Sequence, residues 1–508
     1  MKKSNPNSGI TLVALVITII ILLILAGITI NLTVGQQGIL RRAQEAGKNY
    51  QESANKEKSE LDNLLNEVDD IIKDMGIKFP EVYVALKGDT LSFFNNESEM
   101  KHYVEEEGKS YGKIEKIYTC NEAGIPNIPW FEDRNSITTV NIAQEIKPIN
   151  MDYYFFNLSG LTKIDNLNNL KTNDVTSMVG VFYGCKNLQE IDLTNFDIGK
   201  VKDMSMMFRN CKALTTLDLS NKEAKNLTSM VYMFKDCTNL TNINLTNFNS
   251  SNLEDMTAMF EGCQKLTTIN LENFNTRKVN SMYATFNGCN TIQNLDLSSF
   301  DTSNVTTMEL MFGDCHKLTN LNLSSFNTSK VTSMDSMFYY CIGLENIDLS
   351  NFNTSKVIRM FQMFRNCTNL KTVNVTSFDT SNVTTMQLMF CDCNNLVEVD
   401  LSSFNTEKVT TFSKMFWYCN SLTNIKFSSK FKTNNATDMN SMFQHCINLT
   451  SLDLTSFDTS KVIDFSVMFG DCSKLTQIFV NTSTWIISSG ASTYNMFLGC
   501  GTQTVTKQ

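Results

Sequence analysis

Thirteen cysteines mark out the chain at 185, 211, 237, 263, 289, 315, 341, 367, 393, 419, 446, 472 and 500. The first ten are 26 residues apart, the later steps are 27, 26 and 28, and phenylalanine stands three residues before each, from Phe182 to Phe497. Self-similarity at a period of roughly 20 to 50 residues marks a solenoid, a propeller or another repeat array. The 508 residues also exceed what one ordinary core holds, which agrees with an array. All five prolines lie at or before Pro148, so the repeats keep every backbone N–H for hydrogen bonding.

The unit around Cys341, "FNTSKVTSMDSMFYYCIGLENIDLSNF", shows two rhythms. Val331, Met334, Met337, Phe338 and Cys341 recur at spacings of three and four, which predicts one face of a short helix or of successive helical turns. Asn327, Thr328 and Ser329 before that run are residue types that cap a helix start. Leu344, Ile347, Leu349 and Phe352 point inward, with Ile347 and Leu349 at the period of a strand. Each unit therefore predicts a short strand, a turn, a short helical segment and a return. The apolar side chains of one such unit bury too little surface to offset the entropy of ordering its backbone. Stacking solves this, because each strand bonds to the next at about 4.8 Å and like residues sit on like.

In-register cysteines would also lie about 4.8 Å apart, a separation that a disulfide permits. Their parallel Cβ bonds, however, fit the disulfide dihedral poorly. Buried, reduced thiols acting as small hydrophobes are expected instead, although disulfides are the rule in exported proteins. Cys391, between Phe390 and Cys393, is expected to be exposed, and Cys120 is uninformative.

L-x-x-I-x-L is the strand signature of leucine-rich repeats, whose unit length brackets this one. More narrowly, the Cys341 unit resembles the BspA-like surface-protein repeat of anaerobic and host-associated bacteria, over about residues 155 to 500. The resemblance implies an exported bacterial surface protein with adhesion to host or bacterial partners as its role. One departure is Phe352 and its equivalents, which stand where Asn or Cys usually turns the chain after the strand. The fold class expected is thus an α/β solenoid of about 13 units, with a parallel sheet on one side and short helical turns on the other.

The N-terminus reads differently. No charged residue occurs between Lys3 and Arg41, and residues 10–32 supply a mostly apolar stretch long enough to cross roughly 30 Å of hydrocarbon as a helix. "SGITLVALV" resembles the processing site of type IV prepilins: Gly9 matches the residue before the cut, Thr11 and Leu12 match, and Ile10 replaces phenylalanine. Ala14 departs from the glutamate that the family uses in polymerisation. Cleavage between Gly9 and Ile10 with pilin-like assembly, and simple anchoring by an uncleaved helix, both stay open. Lys2 and Lys3 favour a cytoplasmic N-terminus, which puts the C-terminal part outside the cell, at the surface. Leu61, Leu64, Leu65, Val68, Ile71 and Ile72 predict an amphipathic helix that ends near Gly76. "EVYVALKGDTLSFF" predicts a hairpin about Lys87-Gly88-Asp89, and "SITTVNIAQEIKP" a further strand.

The expected organisation is therefore a leader-like segment at 1–9, a transmembrane or pilin-like helix at 10–32 and an amphipathic stalk helix at 33–76. A capping α+β unit follows at 77–150, then the solenoid at 151–480 and a C-terminal cap at 481–508.

With 43 Lys and Arg against 52 Asp and Glu, the chain has no basic footprint for nucleic acid. His102, His316 and His445 are too scattered for metal-ligand spacing. No catalytic constellation, cofactor motif or metal site is expected, and the chain is not expected to be an enzyme. Two surface features are candidate sites. Asp348 and its equivalents, among them Asp296, Asn322 and Asp400, form a polar stripe on the strands, either a ligand-facing sheet or a solvated side. The pair between each Phe and Cys is variable, and at Tyr339-Tyr340 and Trp417-Tyr418 it is aromatic, as binding hot spots often are. The alternative is rings lying flat on the surface. The partners expected are the membrane through residues 10–32 and, outside the cell, host or bacterial surface proteins or glycans. The competing expectation is a structural element with no specific ligand.

Overall fold

The computed structural model describes residues 81–105, 107–114 and 125–508, which belong to one unit, Pro80–Gln508. The apolar stretch 10–32, the Gly9-Ile10 junction and the amphipathic segment 33–76 lie outside the described residues. Among those described, no helix is long and apolar enough to cross a membrane.

The unit begins with the expected hairpin, β1 (Tyr83–Lys87) and β2 (Thr90–Phe94), antiparallel about Gly88 in the left-handed region. Next comes α1 (Glu97–Val104), whose start is capped by the Asn96 side chain accepting from the Glu99 N–H at 2.8 Å. β3 (Gly108–Lys113) pairs antiparallel with β1 on the outer side. β4 (Thr139–Ile142) and β5 (Lys163–Asp165) then add in parallel beyond β2, giving the order β3-β1-β2-β4-β5. The sheet thus changes from antiparallel to parallel pairing, the pairing that a stack of coils needs.

From there the chain winds as coils. On one side three-residue strands pair in parallel and in register, 26 residues apart, as in Asn346–Asp348 with Thr372–Asn374. Most bury the middle residue, Ile347 or Val373 here, while Ile269 and Leu321 are half-buried, and the two residues beside it are exposed to varying degrees. On the opposite side a second parallel ladder runs unbroken from Ser177 through Asp203, Ser229 and every later equivalent to Ser492.

That second side corrects the expected fold class: the apolar three-and-four spacing does not form a helix. In the Cys341 coil the N–H groups of Met334, Ser336, Phe338 and Tyr340 donate to the next coil, at 3.2, 2.8, 2.9 and 2.8 Å. The alternate N–H groups of Met337, Tyr339 and Cys341 close turns onto the residue three back, at 3.3, 3.0 and 3.1 Å. On this side two residues per coil, Ser336 and Tyr340 here, lie at positive φ, 57° and 55°. Alternating left-handed residues turn every second peptide along the stack, and an α-helix would keep those groups for itself. The described residues therefore form a β-solenoid, leucine-rich-repeat-like in its strands and, apart from one 3-10 turn at Leu167–Asn169, without helices in its coils.

The corners are corrected likewise. Asn327 and its equivalents do not cap helices; the Asn327 side chain accepts from the Ser329 N–H at 3.1 Å, closing a local turn. The following Thr328 is buried and bonds the next coil twice, donating to Asn353 O at 2.9 Å and accepting from Asn353 N at 2.8 Å. Thr302, Thr354, Thr380 and Thr433 repeat the donating bond.

One apolar core runs from Val82 to Met496. Its spine is a column of phenylalanines, with Phe312, Phe338 and Phe364 stacked at 5.7 and 5.4 Å within 12° of parallel. The column reaches back through Phe182 to Phe155 at 5.2 Å, and Phe155 meets Phe93 of β2 at 5.7 Å. Phe155 belongs to a coil that the cysteine count missed, because Leu158 fills the place of cysteine there. The coils therefore number fourteen, not thirteen.

Among the described residues the cysteines are free thiols. Each from Cys185 to Cys472 points its Sγ at the phenylalanine carbonyl of the preceding coil, as Cys341 does to Phe312 O at 3.0 Å. Burial pushes these thiols up, those of Cys237, Cys315 and Cys367 to about 12. Cys391 is a correction. It is buried, not exposed, with its Sγ 3.2 Å from Asp392 Oδ2, because the turn folds that side chain between neighbouring coils.

Candidate binding surface

On the strand side, the carboxylates and amides of the polar stripe are used locally. Asp296, Asn322, Asp348 and Asp400 each accept the N–H of the residue two ahead, Ser298, Ser324, Ser350 and Ser402, at 3.0, 3.0, 3.0 and 2.9 Å. Asp348 also accepts from Asn374 Nδ2 at 2.9 Å. The Ser350 bonds and the Asn374 amide hold the Asp348 carboxyl below the usual range. At Asp400 burial opposes ionisation, but Lys426 Nζ at 2.7 Å and the Ser402 bonds outweigh it and bring the carboxyl to about 2. These groups turn the chain and tie one coil to the next.

On the turn side the variable pair directly follows each column phenylalanine. Its second member always lies at positive φ, and in eleven of the fourteen coils it is Asn, Asp or Gly, from Asn157 to Gly499. Those types adopt the left-handed region most readily. The other three coils place Tyr340, Tyr418 and His445 there, at φ 55°, 59° and 62°. Large rings thus occupy a position that the fold otherwise gives to small or amide side chains.

The structure brings the expected aromatic residues together as two matching pairs. Tyr339 and Tyr340 meet edge to face at 4.5 Å and 67°, and Trp417 and Tyr418 at 4.6 Å and 87°. All four rings are half-buried and occupy equivalent positions three coils apart, roughly 14 Å along the stack. Each pair carries a cation. The Arg365 guanidinium lies 5.8 Å over the Tyr339 ring and Lys414 Nζ 5.3 Å over Trp417. Trp417 Nε1 donates to Gln444 Oε1 at 2.9 Å, which fixes the indole.

Arg365, Lys414, Gln444 and the histidines were missed by the sequence reading. His445 stacks on Tyr418 at 4.0 Å and places Nε2 3.4 Å from Asp471 Oδ2, while His316 lies 6.2 Å from Tyr340. Counting two places beyond each column phenylalanine would have found His445 and Gln444, because Phe443 begins that pair. Among the described residues no group of His, Cys, Asp and Glu is placed to hold a metal ion.

A family described as "Mycoplasma protein of unknown function, DUF285" matches residues 149–269, 260–346, 341–428 and 400–506. No curated protein matches the sequence. Among solved structures, a leucine-rich repeat protein from Bacteroides ovatus is similar at 15% identity and TM-score 0.44, covering 84% of this chain and 92% of that one. One from Eubacterium ventriosum aligns at 16% identity and TM-score 0.39, covering 84% and 94%. A leucine rich cell surface protein from Faecalibacterium prausnitzii aligns at 14% identity and TM-score 0.31, covering 85% and 94%.

Proposed function

The chain belongs to the DUF285 family, and from that premise we propose that it is a membrane-anchored bacterial surface protein whose solenoid binds partners through its turn side. The observation that carries this reading is the aromatic pairs Tyr339-Tyr340 and Trp417-Tyr418, whose second members stand at the position that eleven of the fourteen coils give to Asn, Asp or Gly. The apolar stretch 10–32 would supply the anchor, with the Gly9-Ile10 junction open to processing and to pilin-like assembly. Its partners would be host or bacterial surface proteins or glycans.

A second reading, a structural spacer without a ligand, is favoured by the strand side, where Asp296, Asn322, Asp348 and Asp400 are used to build turns. Binding of the purified full chain to host cells and matrix proteins separates the two. Saturable binding that fails when Tyr340→Ala and Trp417→Ala are combined supports the first. Binding that is non-saturable, or indifferent to both changes, leaves the spacer.

A further inference from the structure

We infer that the solenoid is hinged: it bends by opening and closing three slots on its strand side while its turn side stays closed. Three observations carry this, the first being the backbone. From Thr216 onward the strands fall into five separate groups. One of the breaks, after Thr372–Asn374, is still bridged, because the Val397 N–H donates to Lys371 O at 3.3 Å. The other three follow Thr268–Asn270, Asn320–Asn322 and Asn424–Lys426, and no backbone bond crosses them. At the second, the N–H groups of Glu345 and Leu323 make no hydrogen bond, whereas one coil on their equivalents in Lys371 and Leu349 bridge coils at 2.7 and 3.1 Å. Gln293 and Leu271 at the first break, and Thr450 and Phe427 at the third, are unbonded in the same way. The turn side crosses the second break intact, with the N–H groups of Met308, Leu310 and Phe312 donating to the next coil at 3.2, 3.0 and 3.0 Å. A stack tied along one side and untied along the other bends about the tied side.

The second is packing. Ile269 and Leu321, in the strands that precede the first two slots, are half-buried. Grooves open at the second slot, over Leu295, Leu321 and Asn346, and at the third, over Ile425, Phe427 and Asp453. The third is a cause in the sequence. Thr241, Thr267, Thr319 and Thr423 each stand just before a strand and donate their hydroxyl to a carbonyl of the preceding coil, at 3.0, 3.0, 3.2 and 3.1 Å. At the first two slots Gln293 and Glu345 take that place, and the Thr267 and Thr319 carbonyls of the preceding coils accept nothing. At the third, an extra residue follows the strand, Phe427 to Phe431 against Leu401 to Phe404 one coil earlier. The coils from Cys341 to Cys419, which carry both aromatic pairs, contain no open slot and have one at each end. Bending therefore keeps the two pairs at a fixed spacing and swings the coils on either side of them.

The test is pulsed EPR on the full chain, with spin labels carried by p-acetylphenylalanine so that the native thiols play no part. Labels at Asn242 and Thr372 span the first two slots on the strand side, and labels at Thr228 and Ile358 span the same coils beside the turn-side ladder. The strand-side distance distribution is expected to be the broader of the two. Gln293→Thr combined with Glu345→Thr is expected to narrow it to the turn-side width, and Thr319→Gln to broaden it further, with the turn-side distribution unmoved by either. These changes place residue types that other coils carry there, and melting curves verify the fold. If the double variant does not fold, the parent comparison and Thr319→Gln decide. The inference is overturned if the parent's two distributions are equally narrow, or if the substitutions move both sides alike or neither side.

Discussion

Phe338 shows how one residue type serves the whole stack. Its ring is buried, lies 5.7 Å from Phe312 and 5.4 Å from Phe364, and cannot be removed without opening a gap in the column. Phe338→Ala is expected to destabilise its region by about 3 to 5 kcal/mol, and a denaturation curve superimposable on the parent's would refute the placement. The column was legible in the sequence because a phenylalanine stands three residues before each of the thirteen cysteines of the row. The fate of Cys391 was not. Its place in the variable pair between Phe390 and Cys393 suggested exposure, whereas its side chain is buried where the coils stack. The same limit hid Arg365, since what makes it notable is the Tyr339 ring that it faces.

At the scale of the coil, the two sides differ in how the backbone is satisfied. The strands were readable from the alternation of Ile347 and Leu349, a local pattern that needs only a neighbour to pair with. The turn side misled, because Met334, Met337 and Phe338 have the spacing that a helix and a row of three-residue turns share. Only the next coil decides between them, by taking half of the N–H groups. The corner threonines belong to this scale too. Thr328→Val keeps the shape but leaves the Asn353 N–H without its acceptor and the Asn353 carbonyl without its donor. A loss of about 1 to 3 kcal/mol is expected in urea denaturation, with Thr328→Ser retaining most of the stability. An unchanged midpoint for the valine variant would show that the corner bonds contribute nothing.

For the whole molecule, the consequence that follows most directly from the repeats is an alkaline limit. Twelve thiols of the cysteine row are buried, and burial raises their ionisation above the ordinary value, to about 12 for Cys237, Cys315 and Cys367. In the unfolded chain the same thiols ionise near pH 8.5. The folded state therefore holds more protons, so the stability is complete below that pH and is lost as pH rises toward the folded value. The effect has the same sign for every buried thiol of the row, so it accumulates along the stack. Melting temperature under reducing conditions should accordingly be flat from pH 7 to 8.5 and collapse by about pH 10. A Tm that holds through pH 11 would mean that the thiols reach solvent.

The sequence by itself determined the period, the inward residues and the need to stack, because one coil's apolar side chains cannot order its own backbone. It also set the strand, whose two-residue rhythm has one reading once a neighbour is assured. Tertiary structure decided the other side, where hydrogen bonds to the next coil outcompete the bonds that would close a helix, and it decided the coil count, where Leu158 stands in for cysteine. It alone placed Tyr340 and Tyr418 in left-handed positions and set a cation over each aromatic pair. Those relations exist only between residues that the winding of the chain brings side by side.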